Sequence, residues 1–149
     1  MSNEVNATKA NEAPTRLADG TYQPVLTVSD LDRCGRRWML GASIYNYESQ
    51  CAPAVMFATE PALRKIYAGD EEGYRRSLLS TYRYYNATPQ VSGLLLGAGL
   101  ALEDKGHNDA IDAVQDLKIG LMGSLSGVGD TIFAILIPTI FGSIAAYMG

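Results

Sequence analysis

The chain has little with which to do chemistry. Among its 149 residues stand one histidine, His107, and two cysteines, Cys34 and Cys51. Two thiols so spaced make neither a disulfide framework nor a Cys-x-x-Cys site, and they read as free thiols on helical segments. His107 precedes Asn108 and Asp109, and a lone histidine in a charged turn reads as solvated rather than as a phosphoryl acceptor or metal ligand. No Ser/His/Asp or Cys/His pairing and no carboxylate pair with usable spacing can be found, so no catalytic residue, metal or cofactor is expected. Basic residues never gather into a block, which excludes nucleic acid as a partner. The stretch Gly123-Ser-Leu-Ser-Gly-Val-Gly-Asp130-Thr131 has the glycines of a phosphate loop. It lacks the lysine that reaches the terminal phosphates, and no strand pattern precedes it, which excludes nucleotide binding.

Charge also runs out along the chain. Up to residue 90 the basic and acidic side chains balance. Beyond it only Lys105 and Lys118 face six acids, which accounts for the whole net charge of -4. The mean hydropathy of -0.02 hides this asymmetry. The first residues, Met-Ser-Asn-Glu-Val-Asn, have no apolar run behind a positive start and do not read as a signal peptide. Residues 1–25, rich in Asn, Ala, Thr and Pro, are expected to be flexible, with any membrane attachment made by an internal segment.

What is present is helical. Thr27 can cap a helix whose third residue, Asp30, reaches back to the capping N–H, with Leu26 and Leu31 placed as a hydrophobic staple. Leu31, Cys34, Trp38, Ala42 and Tyr45 then follow one stripe, with Arg33, Arg36 and Arg37 away from it. A helix of this kind can lie in a membrane interface. Pro53 and Pro61 punctuate the next stretch, leaving a short amphipathic turn over residues 61–67. Gly69, Asp70, Glu71 and Glu72 supply a break, a cap and two acids for another helix. On it Tyr74, Leu78, Tyr82 and Tyr85 recur at helical spacing and read as core or interfacial packing. Thr88 and Pro89 restart the helix with a capping hydroxyl and a proline at the first position.

Residues 91–102 are all apolar, Gly or Ser. Twelve residues rise only ~18 Å against a hydrocarbon core of ~30 Å, so they read as a buried or re-entrant helix. A polar turn is expected at residues 103–109 and a further helix at 110–119. Gly120, Gly123, Gly127 and Gly129, with Ser124 and Ser126 between them, have the small-residue spacing that lets membrane helices approach closely. Together with Asp130 they read as a helix-packing elbow. Residues 131–149 then carry no charge and are broken only by Pro138. At ~1.5 Å each these nineteen residues rise about 28 Å, enough for one crossing. The fold expected is all-α: amphipathic interfacial helices, a re-entrant apolar hairpin over residues 91–129, and one C-terminal transmembrane helix.

Several blocks stand in order: Leu26-Thr27-Val28-Ser29-Asp30-Leu31, Asn46-Tyr47-Glu48, Pro61-Ala-Leu-Arg-Lys-Ile-Tyr67, Tyr84-Tyr-Asn-Ala-Thr-Pro89, Leu100-Ala-Leu-Glu103, Leu117-Lys-Ile-Gly-Leu-Met-Gly123 and Gly127-Val-Gly-Asp130. On these the chain resembles the IID component of the mannose/fructose/sorbose family of bacterial sugar phosphotransferase systems, over residues 26–149. The resemblance implies a non-catalytic subunit in the bacterial cytoplasmic (inner) membrane. Its partner is a IIC subunit, with which IID forms the translocation path for a hexose-class sugar. Phosphohistidines on the separate IIA and IIB proteins supply the phosphoryl group. Within the matching blocks Asn46, Glu48, Asn86 and Thr88 are the polar side chains expected to meet sugar, with helix capping or helix–helix hydrogen bonding the alternative for each. Asp130 is expected to be structural.

The chain departs from the family pattern at Tyr45, Thr81, Ser124, Ala134 and Ile137, and the family's further membrane-associated C-terminal half does not follow. A truncated copy, one piece of a split subunit and a diverged paralogue acting as a membrane-docked scaffold remain open.

Overall fold

A computed structural model describes residues 14–149. Helix α1 spans Val28–Gly41, α2 Ala52–Ile66, α3 Glu71–Thr81, α4 Pro89–Gly106 and α5 Ile111–Gly129. A π-helical segment, Asp130–Leu136, leads into α6, Ile137–Met148. Among the described residues the extended backbone is limited to isolated bridges in the loops. The all-helical architecture follows, with α1 to α5 packed as a bundle and the rest projecting from it.

Local chemistry starts α1 and α3 where the sequence places their starts. The Thr27 hydroxyl accepts the Asp30 N–H while Asp30 accepts the Thr27 N–H, closing the capping box of α1. Cys34 and Trp38 of the stripe are buried. Leu31 is largely exposed, and Tyr45 falls beyond the helix end and faces outward. The Trp38 indole N–H donates to the Pro89 carbonyl at 2.9 Å, tying α1 to the first residue of α4. Asp70 caps α3 by accepting the Gly73 N–H at 2.9 Å. Gly73 is needed there, because a Cβ would meet the Asp70 carboxylate, Asn108 and the Tyr67 ring.

Pro61 does not punctuate the chain. It lies inside α2, which runs unbroken from Ala52 to Ile66. A proline inside a helix leaves the carbonyl four residues earlier without its N–H donor. Here that carbonyl belongs to Phe57, and the Arg37 Nε–H of α1 donates to it at 2.7 Å. A side chain from the neighbouring helix thus replaces the missing backbone bond. The face of α2 toward the bundle is built from Ala52, Ala54, Val55, Ala58, Ala62, Leu63 and Ile66, all buried. Alanines here let α1 come close.

The tyrosine stripe packs as expected except at Tyr82: Tyr74 and Leu78 lie partly buried against the core, and Tyr85 belongs to it. The buried residues of α3 are Gly73, Ser77, Ser80 and Thr81, while Tyr82 caps the helix and is exposed. Tyr85 lies past the helix and is fully buried. Small residues pack inward because α3 crosses close to α2 and α5.

The polar turn expected over residues 103–109 shrinks to a short 3-10 turn, His107–Asp109. Glu103 and Asp104 remain in α4 and are buried, since both find partners there. Asp104 accepts the N–H groups of Val25 and Leu26 at 2.9 and 3.1 Å, and the Tyr22 N–H donates to the Lys105 carbonyl at 2.8 Å. The segment 14–26 is held against the end of α4 in this way. The remainder of the 1–25 segment, residues 1–13, lies outside the described residues. After the turn α5 packs back along α4 as a helical hairpin.

The terminal element is longer than residues 131–149. Ile111–Met148 is one helix of 38 residues, about 57 Å at ~1.5 Å per residue, nearly twice a bilayer core of ~30 Å. Its first part belongs to the bundle, and beyond Gly129 no residue is buried. Ile135, Leu136, Phe141, Tyr147 and Met148 are all exposed. The π ladder shows in the Ile137 N–H, which donates to the Ile132 carbonyl five residues back. Proline has no N–H for the α ladder, and its ring crowds the preceding turn. A widened π turn just ahead of Pro138 accommodates both.

Candidate functional site at the root of the terminal helix

The four residues expected to meet sugar lie on two loops, 42–51 and 82–88. The structure pairs these loops. The Cys51 N–H donates to the Tyr85 carbonyl at 2.9 Å and the Tyr85 N–H to the Ser49 carbonyl at 3.3 Å. Asn46 closes the first loop: its Oδ1 accepts the Ser49 N–H at 2.6 Å and the Ser49 hydroxyl at 3.0 Å. Gln50, in the same turn, has a φ of 57°. Glu48 is exposed at its tip. Asn86 is exposed too, with its backbone N–H directed at the Met122 sulfur at 3.1 Å. Beneath them the buried Tyr85 hydroxyl donates to Ser92 Oγ at 3.0 Å, and Ser92 donates to the Thr88 carbonyl at 3.0 Å.

Thr88 does not cap α4 with its side chain. Its hydroxyl points across to the terminal helix, donating to Asp130 Oδ1 at 2.7 Å with the Ser126 carbonyl 3.2 Å away. Beside this bond a Cβ on Gly129 would collide with the Thr88 side chain. Thr88, Gly129 and Asp130 therefore form one contact that fixes the root of the projecting helix. Gly120, Gly123 and Gly127 differ from Gly129, because a Cβ on any of them would meet nothing within 4 Å. They present an open strip on the same helix. Chemically the site offers acceptors and amides to hydroxyls.

Sequence reasoning missed a second polar cluster at the other end of α4. The Tyr67 and Ser77 hydroxyls both donate to Glu103 Oε2, at 3.0 and 2.6 Å. Burial pushes the Glu103 carboxyl above its ordinary value, partly opposed by these two donors. Burial and the Glu103 charge push the Tyr67 phenol well up. The signal was present: Leu96, Leu100 and Glu103 recur at helical spacing, which places the glutamate on the buried face.

His107 is also corrected. It is only 4% exposed, stacked on Tyr22 at 3.8 Å between ring centroids and edge-on to Tyr67 at 5.4 Å. Its Nε2 has no partner among the described residues, and its φ is 47°. The Tyr22 contact, supplied by a segment 85 positions earlier in the chain, removes it from solvent. Desolvation pushes the imidazole below its ordinary 6.5, with Asp104 and Asp70 pulling the other way. Because the folded chain takes up this proton less readily than the unfolded chain, stability falls as pH drops below about 6.5 toward the lowered value. The protection factors of the Tyr22 and Val25 amides, taken against the intrinsic exchange rate at each pH, are expected to fall between about pH 7 and pH 5, and His107→Phe to flatten that dependence. Equal slopes in both chains would refute this.

The thiols of Cys34 and Cys51 are free, buried and pushed up by desolvation. Among the described residues no group of three potential metal ligands occurs.

Comparison with known proteins completes the picture. A family model described as the PTS system mannose/fructose/sorbose family IID component matches residues 25–149. The mannose-specific EIID component of Escherichia coli K12 is 34% identical over 129 residues, covering 85% of this chain and 46% of that protein. The fructose permease IID component of Bacillus subtilis 168 is 30% identical over 112 residues, covering 73% and 40%. Among solved structures, a chain of the mannose transporter ManYZ in complex with microcin E492 superposes with a TM-score of 0.76. It is 32% identical, and the match covers 85% of this chain and 47% of that one. A second membrane protein superposes with a TM-score of 0.71 at 33% identity, covering 82% and 46%. The chain spans less than half the length of these relatives. With the matching model covering nearly all of the described bundle and the whole projecting helix, the chain belongs to the mannose/fructose/sorbose family of PTS IID components.

Proposed function

We propose that this chain is a IID-type subunit that shapes a sugar translocation path together with a IIC subunit in the bacterial inner membrane. The observation that carries the reading is the projecting helix, apolar and unburied beyond Gly129, in a chain of the IID family. Such a surface is stable in lipid or against partner helices, and costly in water. The open strip of Gly120, Gly123 and Gly127 suits close helix approach by IIC. The α4–α5 hairpin enters the bilayer from one side. Helix α1 lies in the interface, where Val28, Met39 and Leu40 are exposed beside Arg33 and Arg36. Residues 26–149 act as the IID-like unit. The exposed Asn86 and Glu48 side chains contact a hexose-class sugar, while Asn46 and Thr88 hold their loops. Phosphoryl transfer belongs to IIA and IIB, which this subunit meets through the complex, and the chain itself performs no chemistry.

A tagged copy is expected to co-purify with a IIC protein from bacterial membranes. A monodisperse, detergent-free monomer would refute the reading. A second reading is a scaffold that docks on IIC without supporting transport. Sugar uptake in a strain lacking its own IID but supplied with this chain separates the two: restored uptake supports the transporting subunit, and docking without uptake supports the scaffold.

A further inference from the structure

Between α2, α3, α4 and α5 lies a small cavity of about 20 Å³. Most of its wall is aliphatic, but Glu103, Lys118, Thr59 and Thr81 also line it. Lys118 and Glu103 are 5% and 3% exposed. The ion pairs of the described residues lie elsewhere, so these two buried charges share a cavity without touching.

Their hydrogen bonds are incomplete in a complementary way. Glu103 Oε2 is saturated by Tyr67 and Ser77, while Oε1 receives no donor from the described residues. Lys118 Nζ donates to the Thr81 carbonyl at 3.2 Å and stands 5.7 Å from the Tyr85 ring centroid. An ammonium has three donors, so donors remain. A buried carboxylate and a buried ammonium are each expensive unless paired and hydrogen-bonded. A water needs roughly 10–15 Å³ and two to four polar partners. The cavity meets both conditions.

We propose that this cavity binds one water molecule, which donates to Glu103 Oε1 and accepts from Lys118 Nζ, making a water-bridged ion pair inside the bundle. The pair ties α4 to α5, the helix that continues into the projecting segment, and the Tyr67, Ser77 and Thr81 bonds extend the hub to α2 and α3. One small polar site therefore joins four helices at the end of α4 away from the root of the projecting helix.

The test uses the full chain in detergent. Thermal midpoints are measured for Glu103→Gln, Lys118→Met and the double variant. Each single change is expected to lower the midpoint by several degrees, because it strands the other charge, and the double variant is expected to recover more than half of the summed loss. Additive losses would overturn the pairing. Infrared spectra at neutral pH give a second readout. The unaltered chain should lack the carbonyl stretch of a protonated Glu103, and Lys118→Met should gain it. Such a band in the unaltered chain, absent from Glu103→Gln, would overturn the ion pair. If a single variant does not fold, a high-resolution map of the unaltered chain decides. Density for one water within hydrogen-bond reach of both groups supports the bridge, and an empty cavity refutes it.

Discussion

Gly129→Ala is expected to destabilise the chain by about 3 kcal/mol, and Gly129→Val by more, although both residues are better tolerated than glycine in an open helix surface or a bilayer. The cause is local. A Cβ at this position would occupy the space of the Thr88 Cβ, Oγ1 and Cγ2 atoms together, so no rotation of one flexible side chain relieves it. The terminal helix would have to move away from the start of α4, and the Thr88–Asp130 bond of 2.7 Å would be lost with it. Thr88→Val, which keeps the shape and removes the hydrogen bond, is expected to cost only about 1–2 kcal/mol. The difference separates steric fit from bonding. Gly123→Ala supplies the control. Its Cβ meets open space, and replacing a helical glycine by alanine gains roughly 0.5–1 kcal/mol. Unfolding in detergent should rank the variants Gly123→Ala, Thr88→Val, Gly129→Ala and Gly129→Val from most to least stable. Co-purification with IIC should respond differently: Gly123→Ala, slightly stabilising for the isolated chain, is expected to weaken it if the open strip is the partner face. A Gly129→Ala chain as stable as the unaltered one would show that the root contact is not tight.

What could be read from the sequence is set by the range of the interactions concerned. The caps of α1 and α3 depend on residues three apart, Thr27 with Asp30 and Asp70 with Gly73, and both form as expected. The projecting helix is legible because an uncharged run of nineteen residues needs no partner to declare itself. The features that misled depend on residues far apart in the chain. Glu103 looked like a turn residue because its donors, Tyr67 and Ser77, stand 36 and 26 positions away. His107 looked solvated because Tyr22 and Tyr67 cover it only after folding. The glycines of the elbow have similar spacing and unlike surroundings. Spacing alone gives no means of telling that Gly129 faces Thr88 while Gly120, Gly123 and Gly127 face space. For the loop residues, the Asn46-Tyr47-Glu48 and Tyr84-to-Pro89 blocks mark two segments that the fold brings together. Only the hydrogen bonds show that Asn46 and Thr88 are occupied with their own fold while Glu48 and Asn86 stay exposed.

Pro61 gives the second large effect, and one whose cause can be isolated. Arg37→Met is expected to lower stability by about 2–3 kcal/mol, because it removes a charge-assisted bond and leaves the Phe57 carbonyl inside the fold without a donor. Pro61→Ala restores a backbone N–H that can serve that carbonyl and relieves the ring's crowding. In the double variant the cost of losing Arg37 should therefore shrink to below about 1 kcal/mol. Two other roles of Arg37 make different predictions. Its guanidinium stands 4.1 Å from the Phe57 ring centroid and 3.9 Å from Glu60 Oε2, where both side chains are 30% exposed. An ion pair at that exposure is worth only about 0–1 kcal/mol, and neither it nor the ring contact would be replaced by an N–H at position 61. Rescue by Pro61→Ala thus assigns the effect to the carbonyl, and an undiminished loss in the double variant assigns it to the ring and the acid. The consequence reaches beyond α2. The same bond sets how α1 lies on α2, and through the Trp38–Pro89 bond α1 also fixes the start of α4, one residue after the Thr88 that holds the terminal helix in place.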